Sequence, residues 1–189
     1  FFSADAMKSP EQIDAILKQD ITEDEIFGYM TRQNMDCYFD GDKLSGIRSE
    51  IAAVTEGIVF VYGVGAAYVQ PSYDLLVYAD MARWEIQMRF RRNEVSNVGI
   101  SNREERASLQ YKRAFFVDWR ICDRFKKKLM KKWDYVLDTN TAGNPKMATA
   151  KAIEAGLEKA SRTPFRVVPF FDPGPWGGQW MKEVCDLDR

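Results

Sequence analysis

The stretch LLVYADMARWEIQMRFRR, residues 75–92, contains the pattern that decides the predicted fold. Its first five residues form a continuous apolar run that ends at Asp80, as expected of a strand that is buried on both faces. From Met81 onward the apolar residues follow the spacing of a helix, which carries three arginines near its end. A buried strand followed directly by a helix is typical of a parallel α/β sheet.

Two further apolar runs lie on either side of this unit. Residues 58–62 (Ile-Val-Phe-Val-Tyr) predict an earlier strand, which exits into the small-residue turn at 63–67. Residues 134–138 predict a third strand, which ends at Asp138. Together the three runs predict an α/β fold in which a parallel sheet is flanked by helices.

The remaining periodic segments predict helices. One capping box begins at Ser9 and a second at Thr22, and each predicts the start of a helix. The apolar spacing predicts further helices over residues 43–56, 118–133 and 147–161. Helices therefore make up the predicted N-terminal part of the chain and surround the strands that follow.

The composition excludes several classes of function. The chain has 189 residues, with 27 Lys and Arg against 28 Asp and Glu, so its net charge of −1 gives no reason to expect a nucleic-acid partner. Basic residues at Arg120, Arg124 and 126–128 are interpreted as a solvated helix face, with an anion or RNA surface as the alternative. No apolar run approaches the ~18 residues of a membrane-spanning helix, so we expect no membrane partner.

Histidine is absent and cysteine is rare. Without histidine the chain cannot supply Ser-His-Asp or Cys-His catalysis, or a histidine-based zinc site. Cys37, Cys122 and Cys185 are far apart and form no CxxC pair. That usage predicts reduced, buried thiols and a cytoplasmic protein.

A candidate anion site is carried by Asp80, Arg89, Arg91 and Arg92. In small-molecule kinases an arginine-rich helix that follows an acidic strand end places guanidinium groups over the transferred phosphate. A mobile loop follows that helix, and the polar segment 93–102 predicts such a loop here. Arg89 and Arg92 are three residues apart and can converge on one anion, whereas Arg91 points in another direction. The alternative interpretation is a solvated helix face.

Residues 41–48 (GDKLSGIR) have the glycine spacing of a phosphate-binding loop without its chemistry. Ile47 and Arg48 stand where that loop requires Lys and Ser or Thr. No apolar strand precedes the segment either. It therefore predicts the entry to a helix.

Residues 59–140 resemble the second half of a uridine-kinase-like P-loop phosphotransferase. The run VFVYGVGA from Val59 resembles that family's central strand, and residues 75–92 resemble its next strand and the helix that leads into an arginine-bearing lid. Residues 116–118 and 134–138 resemble its closing portion. The family's P-loop is missing, which implies either that an upstream segment supplies it or that phosphotransfer has been lost.

A second resemblance lies near the C-terminus. Residues 168–181 (VPFFDPGPWGGQWM) resemble the opening strand of a mannose-6-phosphate isomerase. The resemblance implies that a cupin β-barrel follows, that its His and Glu ligands hold zinc downstream of this chain, and that the chain contacts that barrel within one polypeptide. The alternative is an aromatic and glycine-rich extended tail that packs on its own domain.

The two resemblances together imply a piece of a longer isomerase-like polypeptide. Residues 1–140 are then a kinase-like α/β domain, with N-terminal helices at 1–56 and the sheet region at 57–140. Residues 141–165 are a linker and helix, and 166–189 start the cupin domain. The full polypeptide would interconvert mannose 6-phosphate and fructose 6-phosphate, whereas this chain alone would bind a sugar phosphate or a nucleotide. The alternatives are a nucleoside-kinase-type phosphotransferase with its P-loop upstream, and a non-enzymatic interaction or scaffold module.

The absence of histidine generates a first test. We expect the purified chain to bind no stoichiometric zinc, because it has neither histidine nor clustered cysteine to supply the nitrogen and sulfur ligands that zinc prefers. Elemental analysis after dialysis measures this directly. One tightly held zinc ion per chain would contradict the expectation.

Overall fold

The computed structural model of the chain describes residues 1–164, which form a mixed α/β structure. The chain divides into two compact units, Phe1–Ala150 and Lys151–Arg189. The predicted cupin start at 166–189 lies outside the described residues. In chain order the elements are α1 (Pro10–Ile21), α2 (Gly41–Ala53), α3 (Ala66–Val69), β1 (Val77–Asp80), α4 (Arg83–Arg91), α5 (Ala107–Arg113), α6 (Trp119–Leu129), β2 (Tyr135–Asp138), β3 (Lys146–Thr149) and α7 (Ala150–Ser161), with 3₁₀ turns at Ser3–Ala6 and Met35–Tyr38 and a π-helical segment at Ala114–Asp118.

The sheet has three short strands in the order β1-β2-β3. β1 and β2 are parallel and in register from Val77 opposite Tyr135 to Asp80 opposite Asp138. The parallel pairing needs a long crossover, which α4, α5 and α6 provide. The predicted parallel arrangement of the strands that end at Asp80 and Asp138 is therefore confirmed.

The sheet also contains a strand, β3, that the sequence did not predict. Residues 146–149 form β3, which pairs antiparallel with β2, whereas the sequence predicted a helix from residue 147. A short turn through Gly143, whose φ is +72°, returns the chain directly onto β2. An antiparallel pair needs only such a short connection, so the sheet is mixed and not purely parallel.

The predicted strand at 58–62 does not join this sheet. It pairs instead with the first residues of the chain, because the Phe1 amine donates to the Phe60 carbonyl and the Tyr62 amide donates to the Phe1 carbonyl, at 2.7 and 3.0 Å. Ile58 is 81% exposed and Phe60 is 73% exposed. The apolar run has the composition of a buried strand, but no other element among residues 1–164 covers its outer face.

The predicted helix starts have different outcomes. The capping box at Ser9 is confirmed, since the Ser9 hydroxyl accepts from the Gln12 amide and the Gln12 side chain accepts from the Ser9 amide. Residues 41–48 lie in α2, as predicted, with Asp40 as its N-cap. The second box is wrong, because Thr22 ends α1 at a φ of +59° and the Asp24 carboxylate accepts from two following amides in a tight turn.

The main core lies between helices and turns instead of on the sheet. Ile13 and Leu17 from α1 pack with Tyr38, Val117 and Ile121, and all five are almost fully buried. The strands contribute no residue to this cluster within the described part of the chain, and β1 and β2 are half-buried at best. The sheet therefore lies at the side of a helical core. No helix of residues 1–164 is long and apolar enough to cross a membrane.

A buried carboxylate connects the elements of this core. Asp118, in the π-helical segment between α5 and α6, accepts from the Tyr38 hydroxyl at 2.6 Å and from the Asn97 side-chain amide at 2.7 Å. Burial raises the pKa of Asp118, and the hydrogen bond from Tyr38 opposes that rise. Asn97 and Gly99 pack the polar loop onto the core, since a Cβ at Gly99 would lie 2.5 Å from Cδ1 of Ile13. The middle of the predicted mobile loop, residues 95–100, is therefore packed against the core, whereas Asn93, Glu94 and Ser101 are exposed.

The Tyr38 hydroxyl generates a stability test. Replacing Tyr38 with Phe removes one donor from a buried carboxylate, so we expect a loss of about 1–3 kcal/mol in the free energy of unfolding, measured by urea denaturation. Tyr68→Phe is the matched control, because no hydrogen bond is made by the Tyr68 hydroxyl in residues 1–164, and it should change stability by less than about 0.5 kcal/mol. Equal losses of unfolding free energy in the two variants would show that the hydrogen bond from Tyr38 to Asp118 does not stabilise the fold.

Candidate functional site

The carboxyl ends of the two parallel strands meet at one edge of the sheet. Asp80 ends β1, Asp138 ends β2, and the two residues are register partners. Thr139 closes this edge, because its amide and its hydroxyl both donate to the Asp80 carbonyl, at 3.0 and 2.8 Å. In open α/β sheets this is the edge at which ligands bind.

The turn after β2 also fixes the start of α4. The Asn140 side-chain oxygen accepts from the Ala82 amide at 2.7 Å, and Ala82 is the residue that precedes α4. The Asn140 amide in turn donates to the Asp138 carboxylate at 2.9 Å. α4 therefore leaves the strand edge in a direction that is set by residues of the neighbouring strand.

Two of the predicted arginines share one carboxylate. Arg89 Nε donates to Glu85 Oε1 at 2.9 Å, and Arg92 Nη2 donates to the same oxygen at 3.0 Å. The expected convergence of Arg89 and Arg92 on one anion is thus seen, but the anion is the protein's own Glu85. Arg91 lies on a different face of the helix and is exposed.

Each of these two arginines has a second anchor. Arg89 Nη2 donates to the Thr139 carbonyl at 3.0 Å, which ties α4 to the strand edge, and its side chain is only 17% exposed. Arg92 binds Glu94 through both carboxylate oxygens, at 2.6 and 3.2 Å. We call Glu85, Arg89, Arg92 and Glu94 the arginine–glutamate array.

Asp80, the remaining predicted residue, is paired with a lysine from α6. Its carboxylate binds Nζ of Lys126, which also lies 5.5 Å from the ring centre of Tyr78. Asp80 and Arg89 are connected through one residue, Thr139, which donates to the Asp80 carbonyl and accepts from Arg89. The structure therefore places Asp80 and Arg89 at one strand edge and joins Arg92 to Arg89 through Glu85, whereas Arg91 lies on another face of the helix.

Sequence reasoning missed several residues of this edge. Glu85 is four residues before Arg89, a spacing at which oppositely charged side chains pair on a helix, so its role could have been predicted. Thr139 and Asn140 follow a predicted strand end and carried a weaker signal of the same kind. Lys126 was grouped with a solvated helix face, and nothing local connects it to Asp80, which is 46 residues away.

Both glutamates of the array are held in their ionised form by the arginines. The hydrogen bond from Arg89 lowers the pKa of Glu85, and the hydrogen bond from Arg92 lowers the pKa of Glu94. Both carboxylates therefore remain ionised through the neutral range, and neither is suited to act as a general acid or base near pH 7. In the structure the anion that Arg89 and Arg92 bind is the carboxylate of Glu85.

The other candidate groups have structural roles. Arg48, from the segment 41–48 that has the glycine spacing of a phosphate-binding loop, donates to the Val69 and Tyr68 carbonyls at 2.9 Å each. Within residues 1–164 no three His, Cys, Asp or Glu side chains are placed to hold a metal ion together.

Comparison with known proteins assigns the chain to one family. A family model described as a domain of unknown function (DUF8485) matches residues 1–162, which include the whole strand edge and the arginine–glutamate array. The chain belongs to this family. Comparison with curated proteins gives no match, and no solved structure matches this DUF8485 chain either.

Two thiols of the DUF8485 domain are shielded from reaction. Burial raises the pKa of Cys37 to about 11 and that of Cys122 to about 12, and both cysteines are free. Because the thiolate is the reactive form, these two groups should be poor nucleophiles at neutral pH. Cys185 lies outside the described residues.

A thiol-reactivity measurement checks this shielding. In a Cys185→Ser variant at pH 8, we expect the folded chain to react with Ellman's reagent at least about tenfold more slowly than the same chain unfolded in guanidinium. The rate should rise with pH above about 9, since more thiolate forms as the pH approaches the raised pKa values. Equal rates in the folded and unfolded chains would show that the thiols are exposed.

Proposed function

We propose that residues 1–140 are a kinase-like α/β domain of a mannose-6-phosphate isomerase-like polypeptide, and that this domain binds a phosphorylated small molecule. The ligand class is a sugar phosphate or the phosphates of a nucleotide. The binding site is the strand edge formed by Asp80, Thr139, Arg89 and Arg92. In this proposal the chain itself has no isomerase activity and acts in the cytoplasm.

One observation carries the proposal. Arg89 and Arg92 direct their donors at a single anionic oxygen beside the carboxyl end of a parallel strand pair. Charge-assisted hydrogen bonds from arginine are the strong interactions by which proteins recognise phosphate. In this proposal a phosphate group takes the place of the Glu85 carboxylate and accepts from both guanidinium groups.

The isomerase part of the proposal rests on the sequence resemblance at residues 168–181. The same resemblance implies that the zinc of such an enzyme would be held by a downstream cupin domain. Contact with that domain within one polypeptide is part of the same proposal. Reading the full open reading frame for the downstream His and Glu ligands is the direct test.

A non-enzymatic interaction module is the second candidate, and one observation favours it. The outer face of residues 58–62 is apolar and highly exposed. Exposed apolar patches of this kind often mark sites of protein–protein contact. Ligand titration separates this candidate from the first.

Titration of ligands against an arginine-free variant tests phosphate binding. We expect mannose 6-phosphate, UMP or ATP to bind the wild type with about 3–5 kcal/mol, which corresponds to an affinity near the millimolar range and is weakened by salt. Arg89→Ala/Arg92→Ala should abolish that binding, because it removes both donors. Isothermal calorimetry at low salt measures both affinities.

The control variant is Arg32→Ala/Arg103→Ala, which removes the same charge from two exposed arginines that make no ion pair in the described residues. It should bind as the wild type does. Thermal unfolding of each variant checks the fold, since Arg89 also loses its bond to Thr139, at a cost of about 1 kcal/mol. Absence of binding by the wild type at millimolar ligand would remove this function and leave the interaction module.

A further inference from the structure

The position at which a phosphate would bind is already filled by Glu85. Its Oε1 atom accepts from Arg89 Nε and Arg92 Nη2 at 2.9 and 3.0 Å, so that one carboxylate oxygen uses a donor from each arginine. A ligand anion cannot reach those two donors while Glu85 holds them. Any binding at this edge is therefore an exchange of one anion for another.

Both arginines have contacts that do not involve Glu85. Arg89 donates to the Thr139 carbonyl, and Arg92 donates to both carboxylate oxygens of Glu94. Glu85 has no such second contact in residues 1–164, and its side chain is 24% exposed, so it can rotate into solvent. The shared carboxylate is the removable member of the arginine–glutamate array, whereas the donors are held in place.

We propose that Glu85 is a specificity-determining residue of this site, which admits phosphate monoesters and excludes carboxylates. The inference rests on the proposed function. A ligand carboxylate carries one negative charge and gains nothing over the Glu85 carboxylate, which is bound within the same chain. A phosphate monoester carries about −1.5 to −2 charge at pH 7 and three acceptor oxygens, so it can displace Glu85 and bind both arginines.

The exchange also changes the net charge of the array. Two arginines and two glutamates are balanced when Glu85 is in place. Rotation of Glu85 into solvent leaves a local excess of one positive charge between Arg89 and Arg92. A dianionic group is therefore favoured only when Glu85 has left, which couples ligand entry to the movement of one side chain.

Two ligands with the same ring test this inference. Mannose 6-phosphate and mannuronate differ at C6 in a phosphate or a carboxylate, so their affinities report selectivity for the anion. We expect the wild type to bind mannose 6-phosphate weakly and mannuronate not measurably. Glu85→Gln should bind mannose 6-phosphate at least about tenfold more tightly and should bind mannuronate measurably, because no internal carboxylate competes for the two arginines.

Two further variants keep the test decisive. Glu50→Gln removes the same charge from an exposed position on α2 and should leave both affinities unchanged. Glu85→Asp keeps the charge and shortens the side chain, so its affinities for both ligands should lie between those of wild type and Glu85→Gln. It also keeps the inference testable if Glu85→Gln does not fold. Calorimetry gives the affinities, and thermal unfolding gives the folded fraction of each variant.

The outcomes separate this inference from the proposed function. Equal affinities in wild type and Glu85→Gln, with measurable binding of mannose 6-phosphate, would overturn the role of Glu85 and leave the site intact. Binding by Glu85→Gln but not by the wild type would support the role of Glu85 and count against phosphate binding by the natural chain. No binding by any folded variant would overturn both.

Discussion

The rest of the structure depends on one buried carboxylate, that of Asp118. A buried polar group without hydrogen-bond partners costs free energy, so the donors that surround Asp118 must stay in place. Those donors come from separate parts of the chain, the Tyr38 hydroxyl from a 3₁₀ turn and the Asn97 amide from the loop after α4. Asp118 itself lies in the π-helical segment between α5 and α6, a form of helix that is rare and often found at functionally important positions. One side chain thus connects the N-terminal helical core to the crossover that separates β1 from β2.

This connection extends to the candidate site through a short path. The loop held by Asn97 begins directly after α4, and its first part includes Glu94, whose amide donates to the Arg89 carbonyl at 2.9 Å. Glu94 in turn binds Arg92 through both carboxylate oxygens. The C-terminal end of α4 is therefore fixed by the loop, and its N-terminal end is fixed by Asn140 from the turn after β2. Contacts at both ends of the nine-residue helix α4 therefore fix the position of the two arginines relative to the strand edge.

Sequence reasoning succeeded where the signal is local. The cap at Ser9 and the strand ends at Asp80 and Asp138 were predictable because neighbouring residues supply both the pattern and the bonds. The run at 58–62 was misread because burial depends on which elements cover a strand, and its composition does not contain that information. Residues 146–149 were misread for a related reason, since a four-residue strand is too short to show a period and is defined by its partner β2. Of the candidate site, the pairing of Glu85 with Arg89 could be predicted from spacing, whereas Lys126 on Asp80 could not.

The net charge of −1 and the balanced arginine–glutamate array lead to the same physical conclusion. A chain without a strong overall field does not attract phosphates from a distance, so any selectivity must come from short-range contacts. A bare arginine pair would bind every small anion at a partly exposed helix face, with weak and salt-sensitive affinity. In the proposed site Thr139 and Glu94 hold the two arginines, and Glu85 occupies their shared donors. An incoming anion must therefore bind the arginines more strongly than Glu85 does, which requires more charge and more acceptor oxygens than a carboxylate has. Internal competition of this kind converts a weak electrostatic attraction into discrimination between anions.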